Sequence, residues 1–392
     1  MSITAAKGFV AAGIHGGVKE DGGLDLALVA TDDGAPVPGA AVFTQNHMAA
    51  APVVVSRNAL RTSRGQVGAV LFNSGNANAA TGDAGQQDAE QLVGTIGAEL
   101  GLHPHHVLMC STGLIGIPLP VEPMLAALPG LAAARSVDGA TDAAEAIRTT
   151  DTVRKEVLVE ATAEAGTAFS VGGMAKGAAM LAPNMATMLA IVTTDATADH
   201  ETLQRVLTSA VGPSFNSMTI DGCTSTNDTV ILLASGKAGP VDELAMCEAV
   251  TEACCSLAAQ MVGDAEGATK VVRLNVVGAD DDDDAQKVAR RTADSALVKC
   301  SWYGQDAYWG RIASEAGSCG ARLDPTLLSI SYGGIEVCRH GMAVEHDEAA
   351  LAEHMAQRDL EITIDLGISA GRATLLTNDL THAYVDENMG TS

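Results

Sequence analysis

Short apolar segments of this chain run directly into small polar residues. Residues 68–72 are followed by the polar segment 73–78, and residues 106–110 are followed by the turn 111–113, Ser-Thr-Gly. Apolar runs of this length are typical of buried β-strands, and turns favour Asn, Ser, Thr and Gly. The pattern predicts a sheet whose strands end in polar loops, which is how a rigid scaffold presents reactive groups.

Strands and helices alternate along the chain, which predicts a mixed α/β protein. The predicted helices cover residues 84–100, 201–211, 241–262 and 285–297. Further strands are predicted at residues 25–30, 188–192, 230–234, 271–277, 328–332, 336–338, 361–365 and 372–376. Gly333-Gly334 joins two of them as a hairpin turn. We expect a main α/β domain over residues 1–279 and a smaller C-terminal α/β domain over residues 280–392.

The composition argues against several classes of partner and location. The net charge of −25 at pH 7 disfavours nucleic acid and anionic membrane as partners. No apolar run reaches the roughly 20 residues of a transmembrane helix, and the N-terminus lacks the basic-then-apolar pattern of a signal peptide. We therefore expect a soluble cytoplasmic protein. The acidic run at 280–284 is expected to be a solvated loop, since no Gly-punctuated cation-binding pattern surrounds it.

The core must be built from aliphatic residues, because 47% of the chain is hydrophobic but only 3% is aromatic. Its eight cysteines include no C-x-x-C pair, which predicts buried thiols rather than disulfides. The histidines at 103, 105 and 106 are expected in a solvated loop. No spacing typical of a zinc site occurs, so no metal is expected.

The bond between Ala186 and Thr187 is a candidate self-cleavage site, flanked by small and apolar residues. Cleavage would make Thr187 N-terminal and would supply a nucleophilic hydroxyl together with an α-amine that can act as its base. The alternative is an ordinary structural threonine in an apolar segment. Pro183 and Asn184 favour the reactive interpretation, because they break regular structure just before the predicted strand at 188–192.

Thr112 and Gly113 have two interpretations. A turn at the end of a strand commonly contains such residues. The same backbone N–H groups and hydroxyl could instead form an oxyanion hole, aimed at negative charge developing on an acyl carbon. Taken alone, the turn is the better interpretation.

Two charged residues are candidate substrate contacts. Lys176 lies in a Gly- and Ala-rich segment and could hold a substrate carboxylate, although most lysines are simply solvated. Glu266 follows a predicted helix beside Gly267, the expected C-cap. An acid there opposes the helix dipole, so it could face a ligand, unless Lys270 merely neutralises it.

These candidates fall within motifs that match one family along nearly the whole chain. The most specific motif is Ala182-Pro-Asn-Met-Ala-Thr-Met-Leu189. Others lie at residues 12–14, 19, 25–28, 43–46, 51–53, 73–78, 111–116, 149–152, 173–177, 225–229 and 265–270. The chain resembles the ornithine acetyltransferase family, also called glutamate N-acetyltransferase.

The resemblance implies self-cleavage into chains 1–186 and 187–392, which stay associated as an expected α2β2 assembly. It implies that Thr187 carries the acetyl group as an ester during ping-pong transfer from N-acetyl-L-ornithine to L-glutamate, with Thr112 and Gly113 as the oxyanion hole. It implies an α/β sandwich, N-terminal-nucleophile-like in mechanism, without a cofactor; acetyl-CoA is a possible alternative donor. The implied substrate contacts are Thr150, Lys176, Thr187, Glu266, Asn388 and a C-terminal hydroxyl, Ser392 or Thr391.

Departures from the family pattern leave other functions open. The family commonly has Asp-Pro-Asn-Trp-Gly-Arg where this chain has Asp306-Ala-Tyr-Trp-Gly-Arg311. Such a change would also suit a specialised paralogue with another amino-acid acceptor. A related self-cleaving aminopeptidase or amidase would share the same nucleophile, and an inactive paralogue would only bind amino acids.

Overall fold

The computed structural model describes residues 2–180 and 188–390. It divides into two compact units. The first comprises the described parts of Met1–Asn216 and Cys223–Met261, and the second comprises Ser217–Gly222 and Val262–Gly390. Within the described residues, no helix is long and apolar enough to cross a bilayer.

The first unit contains two sheets. Its strands are β1 (Phe9–Ile14), β2 (Leu26–Thr31), β3 (Val37–Phe43), β4 (Gln66–Val67), β5 (Ala69–Asn76), β6 (Val107–Leu114), β7 (Lys155–Thr162), β8 (Ala168–Lys176), β9 (Leu189–Thr197) and β10 (Thr229–Pro240). Its helices are α1 (Ala51–Thr62), α2 (Gly82–Leu100), α3 (Val121–Ala134), α4 (Ala140–Ala146), α5 (His200–Val211) and α6 (Glu243–Gly263), which ends at the boundary with the second unit. The sheet orders are β1-β2-β5-β6 and β4-β3-β10-β9-β8-β7.

Alternation along β2 explains how the sheets and helices stack. Leu28 packs with Leu92 of α2 and Leu128 of α3, in the core on one face of the four-stranded sheet. Val29 points to the opposite face, as successive strand residues must, and packs in a core shared with Ile191 of β9. The two sheets therefore lie face to face. A Cβ built on Gly173 of β8 would lie 3.2 Å from Cδ1 of Leu257 in α6. Helix α6 therefore covers the face of the six-stranded sheet that points away from the four-stranded sheet. The predicted α/β sandwich is confirmed.

The second unit is built on one sheet of order β14-β13-β12-β15-β11-β16. Its strands are β11 (Val271–Ala279), β12 (Ser329–Tyr332), β13 (Ile335–Arg339), β14 (Met342–Ala343), β15 (Asp359–Asp365) and β16 (Gly371–Asn378). Its helices are α7 (Asp282–Ala293), α8 (Ala296–Tyr303), α9 (Trp309–Ser318), α10 (Glu348–Ala356) and α11 (His382–Glu387). The predicted hairpin at Gly333-Gly334 is present, since β12 pairs with β13 in antiparallel fashion.

The boundary between the units lies earlier than the expected residue 280. Strand β11 pairs along its length with β15 on one side and β16 on the other. It is therefore an interior strand of the second sheet, and Val272, Leu274 and Val276 are part of that core. Hydrogen bonding between strands, rather than the change in composition at the acidic run, decides where this unit begins.

The acidic run was predicted to be a solvated loop, but it forms the start of α7. Asp281 is the N-cap, and its carboxylate accepts a hydrogen bond from the Asp284 amide at 2.8 Å. Asp282, Asp283 and Asp284 occupy the first turn, where carboxylates are stabilised by the positive end of the helix dipole. The run thus serves helix initiation.

Smaller differences from the predictions concern strand ends and cysteines. Strands β5 and β6 continue through most of the segments predicted as polar loops, because the two pair in parallel as far as Asn76 and Leu114. Within the described residues the cysteines form no disulfide, but they are not all buried: Cys223 and Cys300 are exposed.

Candidate functional site

In the six-stranded sheet of the first unit, the C-terminal end of β8 lies beside the N-terminal ends of β9 and β10, and these three ends form one edge of the sheet. In the register of the sheet, Lys176, the last residue of β8, is opposite Leu189, the first residue of β9. Leu189 is in turn opposite Thr229, the first residue of β10. The residues just outside these strands, Met188 and Asp228, therefore meet at this edge, and both are buried.

The end of β6 meets the same edge. Thr112 is buried, and its Oγ1 accepts a hydrogen bond from Nζ of Lys176 at 3.2 Å. An ammonium group only donates, so this bond leaves the hydroxyl hydrogen of Thr112 available for another acceptor. A hydroxyl held in this way can donate to an oxyanion. The structure thus places two of the predicted site residues in direct contact.

Gly113 has a backbone conformation that side chains rarely adopt, with φ at +131°. A Cβ built on it would stand 2.2 Å from the carbonyl carbon of Gly75. Residues 75 and 113 are partners in the parallel pairing of β5 with β6. Only glycine fits here, and the close approach of the two backbones fixes the peptide that follows Thr112.

A buried carboxylate, Asp151, connects Lys176 to a second cation. Its Oδ1 accepts from Nζ of Lys155 at 2.7 Å and from the amide of Gly177 at 2.7 Å. Its Oδ2 lies 3.9 Å from Nζ of Lys176 and accepts from the amide of Thr149 at 3.1 Å. The predicted contact Thr150 is exposed and directly precedes this carboxylate.

The two lysines keep the buried carboxyl of Asp151 ionised. Burial alone would raise the pKa of Asp151, but Lys176, Lys155 and hydrogen bonds from Lys155 and Gly177 outweigh it and lower the pKa to about 2. Asp151 is therefore ionised between the ammonium groups of Lys155 and Lys176. The ammonium group of Lys176 lies beside the Thr112 hydroxyl, where it can stabilise an oxyanion or a substrate carboxylate.

Asn227 and Asp228 link the end of β6 to the start of β9. Nδ2 of Asn227 donates to the carbonyl oxygens of Ser111 at 2.9 Å and Ala77 at 2.6 Å. Oδ1 of Asp228 accepts from the amide of Met188 at 2.9 Å. Neither residue was singled out from the sequence, although both lie in the matching motif 225–229. A polar dipeptide immediately before a buried strand was the available signal.

In the second unit, two predicted substrate contacts meet each other. Nδ2 of Asn388 donates to Oε2 of the buried Glu266 at 2.8 Å. The alternative, neutralisation of Glu266 by Lys270, is not seen among the described residues: the ammonium group of Lys270 donates to the carbonyl oxygens of Met355 and Gln357. Gly267 is not the C-cap of α6 either, since that helix ends at Gly263. Glu266 therefore lies in a turn beyond the helix, where the dipole argument does not apply.

Four candidate site residues lie outside the described residues. They are the cleavage-site pair Ala186 and Thr187, and the two alternatives for the C-terminal contact, Ser392 and Thr391. The described chain resumes at Met188, directly after the predicted nucleophile.

Comparison with known proteins identifies the family. Residues 10–390 match the model of the ArgJ family. The arginine biosynthesis bifunctional protein ArgJ of Thermobifida fusca (strain YX) is 44% identical over 389 residues, which are 99% of this chain and 99% of that protein. The protein of the same name from Mycobacterium leprae (strain TN) is 44% identical over 396 residues, covering 99% and 95%.

The chain is also similar to solved structures. A chain of the crystal structure of ornithine acetyltransferase complexed with ornithine from Mycobacterium tuberculosis is 40% identical, with a TM-score of 0.43, and the match covers 46% of this chain and 94% of that one. The family assignment itself rests on the sequence matches, which span almost the entire length of both partners. This chain belongs to the ArgJ family of acyltransferases.

Proposed function

We propose that this protein transfers an acetyl group from N-acetyl-L-ornithine to L-glutamate in arginine biosynthesis. The chain first cleaves itself between Ala186 and Thr187, which gives fragments 1–186 and 187–392. The N-terminal Thr187 of the second fragment then carries the acetyl group as an ester. One amide is exchanged for another, so the transfer needs no external source of energy.

The contact between Lys176 and Thr112 carries this proposal. Lys176 is paired in register with Leu189, so the predicted nucleophile Thr187 lies two residues before the first residue of the strand beside this contact. An acyl-transfer site needs a nucleophile and a nearby group of preorganised donors. The buried hydroxyl and ammonium group supply such donors.

The two half-reactions balance without a cofactor. The α-amine of Thr187 takes the proton of its own hydroxyl as the oxygen attacks the acetyl carbonyl, and the leaving amine of ornithine receives that proton. Glutamate then attacks the ester through its neutral amine, and the Thr187 hydroxyl is restored. Thr112 and Gly113 stabilise the oxyanion in both steps. Transfer rather than hydrolysis requires that water be kept from the acetyl ester while glutamate is bound.

The substrate contacts follow from charge. Lys176 suits a substrate carboxylate, and Glu266, held by Asn388, suits the side-chain ammonium group of N-acetylornithine. Thr150 and Ser392 complete the proposed set. The relatives are called bifunctional, which fits acetyl-CoA as a second donor. We further propose that the processed chains form an α2β2 assembly in the cytoplasm and act on small amino acids rather than on nucleic acid or membrane.

Two measurements test the function. Denaturing mass spectrometry of active protein should give two fragments divided before Thr187, whereas a single intact chain in active material would contradict the mechanism. Incubation with glutamate and either N-acetylornithine or acetyl-CoA should yield acetylglutamate from the first donor. Free acetate alone would indicate a hydrolase. The Thr187→Ala variant, which lacks the nucleophile, is the control and should remain uncleaved and inactive.

A further inference from the structure

Self-cleavage, which must precede the proposed acetyl transfer, has no base assigned to it. In the mature protein the α-amine of Thr187 takes the hydroxyl proton, but before cleavage that nitrogen belongs to a peptide bond and has no basic lone pair. Self-cleavage also requires a proton for the nitrogen that leaves. Another group of the chain must therefore carry the proton from the Thr187 hydroxyl to the Thr187 nitrogen.

We propose that Asp228 is the acid–base residue of self-cleavage and donates a proton to the backbone nitrogen of Thr187. The inference rests on the proposed cleavage between Ala186 and Thr187 and adds to it the group that makes it possible. The carboxyl is held at the residue that follows Thr187, it is 1% exposed, and one of its oxygens is unused among the described residues.

The position of the carboxyl follows from one hydrogen bond. Oδ1 of Asp228 accepts from the Met188 amide at 2.9 Å. Backbone bond lengths keep two consecutive nitrogens within about 3.7 Å of each other. The carboxyl is thus anchored one residue from the nitrogen that must be protonated. No hydrogen bond from the described residues reaches Oδ2, and a catalytic role is one explanation for a buried polar atom in this state.

The segment that carries Asp228 is held firmly on both sides. The carbonyl oxygen of Asp228 accepts from the amide of Thr44 at 2.9 Å, and Thr44 directly follows β3, the strand that pairs with β10. The preceding Asn227 is bound to the carbonyl oxygens of Ser111 and Ala77. The same short segment thus fixes the carboxyl and the strand that leads into the oxyanion hole.

The surroundings favour the protonated form of the carboxyl. Burial raises the pKa of Asp228 well above its ordinary value, and the Met188 amide, the Ser225 hydroxyl and Lys176 oppose this to a smaller extent. Among the charged groups of the described residues, Lys176 is the one that lowers the pKa of Asp228. Asp151, 3.9 Å from Lys176, offsets part of the charge of Lys176. Cys110 interacts with the neighbouring Thr229, and burial raises the pKa of its thiol too, so it stays neutral.

The step balances as an acyl shift followed by hydrolysis. The Thr187 oxygen bonds to the carbonyl carbon of Ala186, and the bond from that carbon to the Thr187 nitrogen breaks. Asp228 gives its proton to the departing nitrogen and recovers one from the Thr187 hydroxyl. Water then hydrolyses the ester, which leaves a carboxylate on Ala186 and a free hydroxyl and α-amine on Thr187.

The test compares cleavage rates of full-length variants. Protein is made by pulse-labelled cell-free translation and chased at several pH values, and the cleaved fraction is measured on denaturing gels. Asp228→Asn should slow cleavage by about 100-fold, the usual scale of general acid catalysis, because asparagine can still accept the Met188 hydrogen bond but cannot supply the proton. Asp195→Asn is the matched control: Asp195 is another buried acid of this sheet and binds the Ser170 amide instead.

The pH dependence of cleavage distinguishes proton donation by Asp228 from a purely structural role of this residue. Wild-type cleavage should slow as pH rises through the pKa of Asp228, since the protonated form is the donor, and Asp228→Glu should keep this alkaline decline. Normal cleavage of Asp228→Asn, or a wild-type rate without the decline, would overturn the inference. The pH profile of wild-type cleavage tests the inference even if the Asp228→Asn variant fails to fold. Absence of wild-type cleavage at every pH would instead refute the proposed function itself.

Discussion

Lys176 donates a hydrogen bond to the hydroxyl of Thr112 while its charge is shared with Asp151, 3.9 Å away. The ammonium group thus orients the hydroxyl and keeps positive charge beside it. In a buried site such charge interacts more strongly than it would in water. This pair connects the end of β8 in one sheet to the end of β6 in the other.

Replacing Lys176 by methionine should abolish most of the acetyl transfer. The variant keeps the length of the side chain but loses the donor to Thr112 and the cation beside the oxyanion. We expect kcat/KM to fall by about 100- to 1000-fold, as for the loss of an oxyanion-hole donor. Lys237→Met, which removes an exposed lysine paired with Asp32, is the control and should retain normal kinetics. Normal transfer by Lys176→Met would contradict the assigned role.

Gly113→Ala should destabilise the first unit. The added methyl group would meet the Gly75 backbone at 2.2 Å, in a backbone conformation unfavourable to alanine. Strain alone costs about 1–3 kcal/mol, and the clash adds to it. Gly94→Ala is a matched control in α2, with open space around the site. It should stabilise by about 0.5–1 kcal/mol. Denaturant unfolding monitored by circular dichroism distinguishes the two, and equal stabilities would contradict the structure.

Acid unfolding should depend on Asp151. Its pKa is lowered from 3.8 to about 2 by the buried lysines. A carboxyl whose pKa is lower in the folded than in the unfolded state stabilises the folded protein at pH values above its unfolded-state pKa. This stabilisation is lost as pH falls from 3.8 through 2. The contribution is about 2 kcal/mol. Asp151→Asn should lose this stabilisation at neutral pH, so its free energy of unfolding should vary less over that acid range than that of the wild type. Parallel curves for the two proteins would be the contrary result.

Glu266→Gln should selectively weaken use of the cationic donor. The variant keeps the size of the side chain and can still accept from Asn388, but it loses the charge expected to hold the ammonium group of N-acetylornithine. We expect KM for N-acetylornithine to rise about tenfold, with little change in KM for glutamate. The nearby exposed Asp386→Asn provides the control. A similar rise for both substrates would show that Glu266 acts structurally.

Much of the local structure was predictable from the sequence. Apolar runs and turn residues located β2, β11 and the hairpin between β12 and β13, because those signals depend on neighbours along the chain. The acidic run misleads for the same reason. A run of aspartates resembles a solvated loop until the helix behind it is seen to begin at Asp282. Capping is visible only when the backbone amides that it satisfies are placed.

The sequence by itself determined the α/β class, the family and the identity of Thr112, Lys176 and Glu266 as site candidates, because motifs and periodicity are properties of neighbouring residues. Only the tertiary structure decided which residues act together. Lys176 and Thr112 are 64 residues apart, and Asp228 and Met188 are 40 apart. The first contact depends on how the two sheets stack, and the second depends on the parallel pairing of β9 with β10. Both arrangements result from burying apolar faces across the whole unit, so no local pattern contains them.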